Sequence, residues 1–238
     1  MISKKYRADW FALLAYFFLA IVLTFPLITQ FTTHVAGDGS DDPALAWNLW
    51  WVPHALINLN ISPIYTDRMF YPIGLNLAFY TLTYLNAFLS IPIQFAFNLI
   101  VAANVNLLFS FGVSGFGVYL LVKYLLRVAS RKSQEFSHET WSLTLAAFAS
   151  GALYAFASNK MLYAALGQFN IASSHWIPFY ILFLLKLTNP RHSSLVTRHG
   201  FFLGLFLLFQ VLSEFIYASF LIIFTAIYLI YWLIQTRR

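Results

Sequence analysis

The apolar run at 200–234, most of it "FFLGLFLLFQVLSEFIYASFLIIFTAIYLIYWLI", constrains this chain more than any other feature. Its only charged residue is Glu214. As one helix the run would extend about 50 Å, against a bilayer hydrocarbon core of about 30 Å. The polar step "QVLSE" at 210–214 divides it, and the sequence predicts a tight hairpin with arms at 200–213 and 216–234. Helices that are apolar all round need lipid, not water, as their solvent. The rest of the chain agrees, with 61% hydrophobic residues, 20% aromatic and only 9% charged, well outside the soluble globular range.

Further apolar runs lie at about 10–29, 104–126, 141–158 and 171–188, with a weaker one at 84–101. Lys4, Lys5 and Arg7 precede the first. That run is long for a signal peptide, and "QFTTHVAGDG" after it offers no good small-x-small cleavage site, so a retained span is expected. The net charge of +6 is spread in small groups between apolar runs. It forms no basic stripe for nucleic acid and instead sets membrane orientation. The absence of cysteine excludes disulfides and thiolate metal sites.

The run at 84–101, "YLNAFLSIPIQFAFNLI" in its core, decides the topology. It carries Pro92, Asn86, Gln94 and Asn98. If it crossed the membrane, Lys123, Arg127, Arg131 and Lys132 would face away from the N-terminal "KKYR". If it lies in the outer interface, every Lys and Arg except Arg68 and Lys160 falls on one side. The positive-inside rule selects the second layout. The expectation is an all-α polytopic membrane protein with six spans and both termini cytoplasmic, in the cell membrane. A large extracytoplasmic loop, 30–103, would hold interfacial helices at 43–58 and 84–101.

The carboxylates concentrate in that loop. "GDGSDDPALAWNLWW", residues 37–51, gathers Asp38, Asp41 and Asp42 ahead of Trp47, Trp50 and Trp51. Asp42-Pro43 reads as a helix start, with Asp42 as N-cap and Pro at the first helical position. Tryptophans favour the headgroup level, which places the helix along the membrane surface. Solvated loop acids are the plain alternative. Outward carboxylates beside a helix start could also accept a proton from a hydroxyl or bind a divalent cation, magnesium or manganese. The spacing is not a specific metal motif, and substrate phosphate would have to complete the ligand set.

Lys160 and Arg68, the two outward basic residues, are candidates for a phosphate or lipid headgroup. Bounded by the Trp47–Trp51 helix, the 84–101 helix and the Lys160 loop, one groove would hold that group. His54, His175 and Glu214 are secondary candidates, with packing the plainer reading for the histidines. The small residues Ser110, Gly112, Ser114, Gly115 and Gly117 predict close helix packing.

This layout, with the pattern "GDGSDDPALAWNLWW … SPIYTDRMFYPIGLNL", resembles the GT-C superfamily of integral-membrane glycosyltransferases, and within it a group of bacterial members. The resemblance implies hexosyl or pentosyl transfer from a polyprenyl-phosphate-linked sugar on the extracytoplasmic side. It also implies that an early loop acid, here Asp38, Asp41 or Asp42, is catalytic base or metal ligand. Because such enzymes usually have more spans, the chain is expected to be a reduced transferase of this kind or a transferase's N-terminal module. The alternative is a non-catalytic GT-C-like subunit or scaffold with membrane protein partners.

Overall fold

The computed structural model describes residues 4–130, 140–189 and 195–236, and its fold is all-α. The helices are α1 (Lys4–Leu23), α2 (Asp42–Pro53), α3 (Tyr84–Ala96), α4 (Leu99–Ser130), α5 (Thr140–Ala155), α6 (Ser158–Ala165), α7 (Phe169–Ala172), α8 (Ile177–Leu187), α9 (Val196–Ser213) and α10 (Phe215–Thr236). The only strands among the described residues are a short antiparallel pair, β1 (Tyr65–Thr66) and β2 (Leu75–Asn76).

Three of these helices, α4, α9 and α10, are long and apolar enough to cross a membrane. A fourth crossing exists if α5 and α6, which meet at a 40° bend, form one broken span. The 200–234 run does divide where its polar step lies: α9 ends at Ser213, and Glu214 takes an extended conformation before α10 begins. Along α10 only Ala218 and Leu221 are buried, while Ile223, Ile227 and Ile230 are exposed.

The run at 171–188 departs from expectation. It is not one helix: α7 stops at Ala172 and α8 starts only at Ile177, with Pro178 in its first turn. Proline fits there because the N–H it lacks has no helical partner at that position.

α4 is the longest helix, and α1 lies antiparallel against it. Asp9 pairs with Lys123, Tyr16 sits over Gly115 and Phe17 over Gly112. The Asn104 amide donates to the carbonyls of Phe31 and His34 at 2.9 and 2.8 Å. As residue numbers rise on one partner they fall on the other. Close approach depends on the small residues, since a Cβ on Gly151 of α5 would stand 2.4 Å from the Gly115 carbonyl oxygen. The same packing lets the Tyr16 hydroxyl donate to the Phe148 carbonyl at 2.8 Å.

The 30–103 segment is packed more deeply than a surface helix requires. Leu45, Leu49 and Val52 of α2 join Leu107 and Phe111 of α4 in the main apolar core. Trp51 is 1% exposed, its indole N–H donating to the Pro63 carbonyl at 3.0 Å, and Trp47 stacks on it. Trp51 is therefore core, not a headgroup anchor. Pro53 has no N–H to give the Leu49 carbonyl four residues back, and the Gln94 side chain of α3 fills that place at 2.8 Å. That bond ties α2 to α3.

Candidate functional site

The break between α7 and α8 leaves four consecutive carbonyls, 171 to 174, outside regular helix bonding. Each receives a side-chain donor from a different helix. Tyr217 of α10 donates to Ile171 at 3.0 Å and Ser110 of α4 to Ala172 at 2.5 Å. Gln210 of α9 reaches Ser173 at 3.0 Å, and Tyr154 of α5 reaches Ser174 at 3.0 Å. From α3, the Asn86 amide donates to the Ser173 hydroxyl at 2.9 Å. Irregular backbone survives in an apolar domain only when its polar groups are satisfied inside the protein, and four helices do so here while α3 holds the Ser173 side chain.

The acidic loop sits against one side of this hub. Asp41 accepts a hydrogen bond from the Gln168 amide, just before α7. Gly167 has φ +74, and a Cβ there would lie 2.3 Å from the Asp42 Cβ. Only glycine allows both that backbone conformation and that approach. Asp38 and Asp41 are exposed, and Asp42 is half-buried. Asp38 accepts from the Ser40 N–H at 3.0 Å. Burial, and after it the Asp41 carboxylate, raise the Tyr80 phenol above its ordinary value. The loop, the Gln168 turn and Tyr80 thus face one another.

The expectation that Asp42 caps α2 is corrected. Asp41 occupies the N-cap position, Asp42 is already helical, and no side-chain cap bond forms. The Asp42 carboxylate instead accepts from the Gly39 N–H at 2.8 Å, closing the loop on itself. Among the described residues no group of three or more His, Cys, Asp or Glu is placed to hold a metal ion. The three aspartates therefore do not form a divalent-cation site by themselves.

Arg68 and Lys160 are not brought together. Arg68 is exposed, with its guanidinium over the Trp51 ring at 5.9 Å. Lys160 turns inward and is only 7% exposed. Its ammonium donates to the Ser110 carbonyl at 3.2 Å, the Ser114 hydroxyl at 2.5 Å and the Ser174 hydroxyl at 3.5 Å, and lies over Phe111. A shared phosphate site at these two residues is not built. The histidines follow the packing reading: His54 stacks on Trp50, and buried His175 lies between Phe109 and Trp176.

Two cavities adjoin the loop. The first, about 300 Å³, runs from Leu23, Phe25 and Leu27 past Leu107 and Met161 to His34 and Gly37. It is mainly apolar and reaches the acidic stretch at Gly37, with no aspartate in its lining. The second, also about 300 Å³, lies between the 78–83 segment and the α9–α10 elbow and contains Tyr80, Thr83, Ser213 and Glu214. Glu214 is 7% exposed, and its carboxylate accepts from the Asn170 amide at 2.9 Å. Sequence reading missed His34, Tyr80, Gln168 and Asn170, which carry no local motif and gain meaning only from contacts across the fold. No family model matches the chain, and no curated protein or solved structure does so either.

Proposed function

We propose that this chain is a GT-C-like membrane glycosyltransferase, or the N-terminal module of one. It would move a hexosyl or pentosyl group from a polyprenyl-phosphate donor on the extracytoplasmic side. The apolar cavity that reaches the acidic loop carries this reading. An isoprenoid chain would lie along Leu23, Phe25 and Leu27, and its phosphate would emerge beside His34 and Gly37. Asp38 or Asp41 would then take the proton from the acceptor hydroxyl as its oxygen bonds to the sugar's anomeric carbon and the bond from that carbon to the phosphate oxygen breaks, leaving polyprenyl phosphate. Gln168 positions Asp41 for that step, while Asp42 shapes the loop.

The layout proposed with it has six crossings: α1, α4, α5–α6, α7–α8, α9 and α10, with both termini cytoplasmic. Two antiparallel helices must have an even number of crossings between them. At about 1.5 Å per residue, α2 with the π-helical turn at 54–58 that continues it extends about 25 Å and α3 about 20 Å, each short of the hydrocarbon core of about 30 Å, and the layout has neither crossing. This supports placing both near the outer interface.

A second reading, a non-catalytic membrane subunit or scaffold, has one observation in its favour: no lysine or arginine lines the apolar cavity. The experiment uses the protein in lipid nanodiscs with a photoreactive polyprenyl phosphate and with polyprenyl-phosphate sugars. Crosslinks are expected at Leu107 and Met161, and turnover is read as released polyprenyl phosphate. Asp38→Asn or Asp41→Asn should reduce turnover roughly 10²–10⁴-fold, the usual worth of a general base, with Asp42→Asn near wild type. Crosslinking without turnover selects the scaffold reading. Absence of both overturns the transferase.

A further inference from the structure

Glu214 presents a problem that the transferase reading leaves unsolved. It is a buried carboxylate, and the one ion pair among the described residues is Asp9 with Lys123. Its oxygens have one neutral donor each, Asn170 Nδ2 at 2.9 Å and the Ile216 N–H at 3.3 Å, so each keeps acceptor capacity. A charge taken from water without a cation is costly. The cavity of about 300 Å³ in front of Glu214 contains a second unmet group, since Thr83 is 1% exposed and its hydroxyl has no partner. The side-chain carbonyl of Asn170, whose amide donates to Glu214, is likewise without a donor. Excess acceptors beside a carboxylate without a cation partner call for a cation rich in N–H donors.

We propose that this cavity binds a primary ammonium group, held by the Glu214 carboxylate and the Thr83 hydroxyl. An ammonium supplies three donors and one positive charge, matching what the cavity lacks. The rim is apolar on one side, where Phe215 and Ile216 are 68% and 60% exposed, so an amphiphile's chain can lie outside while its amine enters. The ammonium can come from an ethanolamine lipid headgroup or from a soluble amine. The site stands independently of sugar transfer.

The experiment measures the thermal unfolding midpoint of the protein in nanodiscs of phosphatidylglycerol. One arm adds phosphatidylethanolamine, and a matched arm adds phosphatidylcholine, which has the charge but no N–H donor. A soluble arm adds ethanolamine or glucosamine, with glucose as the control. The expected result is a rise of about 5 °C with primary amines, as for a ligand held well above its Kd, and none with phosphatidylcholine or glucose. A rise with the lipid alone identifies the headgroup as source, and a rise with soluble amines alone identifies a small molecule. Glu214→Gln should abolish the rise. Thr83→Val, which leaves the carboxylate in place, should at least halve it. Equal shifts with phosphatidylethanolamine and phosphatidylcholine, no shift with any amine, or a full shift in Thr83→Val would each overturn the site. The wild-type comparison requires no variant to fold.

Discussion

Lys160 shows why the meaning of a single charge depends on its fold. In sequence it stands beside Asn159 in a short polar step, the normal setting for a solvated headgroup contact. Its partners, Ser110 and Ser114, are 50 and 46 residues away, and nothing local announces them. The ammonium is buried among neutral oxygens, so its desolvation is only partly offset. Lys160→Met, which preserves length and removes the charge, should therefore unfold within about 1 kcal/mol of wild type or later. Ser114→Ala leaves the charge and removes its shortest acceptor, and should cost about 1–3 kcal/mol. Thermal unfolding of both variants in one detergent checks the ordering; a Lys160→Met protein much weaker than Ser114→Ala would show that the lysine is a net stabiliser.

At the level of helices, most of the design was legible. Apolar runs became helices, the 200–234 run broke at its polar step, and the Gly and Ser positions of α4 became contact points for α1 and α5. What was not legible depended on long-range partners. α4 begins at Leu99 rather than near 104 because the Asn98 side chain accepts the Val101 N–H and Asn104 and Asn106 bond to carbonyls, leaving no polar penalty. The 171–188 run reads as a span by hydropathy alone, yet "SSHWIP" interrupts it because four helices supply the donors its backbone needs. The Asp42 cap failed for a local reason, since Gly39 offers a closer N–H than the helix does. The pairing of Pro53 with Gln94 gives a test specific to this scale. Gln94→Leu should cost about 1–3 kcal/mol by orphaning the Leu49 carbonyl. In a Pro53→Ala background the restored N–H can serve that carbonyl, and most of this loss should disappear. A double-mutant cycle by chemical unfolding reads the coupling, and additive losses would mean that Gln94 acts through something other than the proline gap.

For the whole molecule, the proposed orientation is open to direct chemistry because the native chain has no cysteine. Single cysteines at Ser40 and Ser62, both exposed, should react with an impermeant maleimide in sealed cells. Cysteines at Ser133 and Ser194, which lie outside the described residues, should react only after permeabilisation. Labelling at 133 from outside would invert the layout. The hub at 171–174 also has a consequence in time. Its donors are residues 110, 154, 210 and 217, two made before the segment and two after it. While α8 is leaving the ribosome, the Ile171 and Ser173 carbonyls have no protein donor, and water must hold them. α9 and α10 therefore do more than add span: their arrival expels that water, so a nascent chain remains a hydrated, incomplete bundle until Tyr217 has been synthesised and inserted.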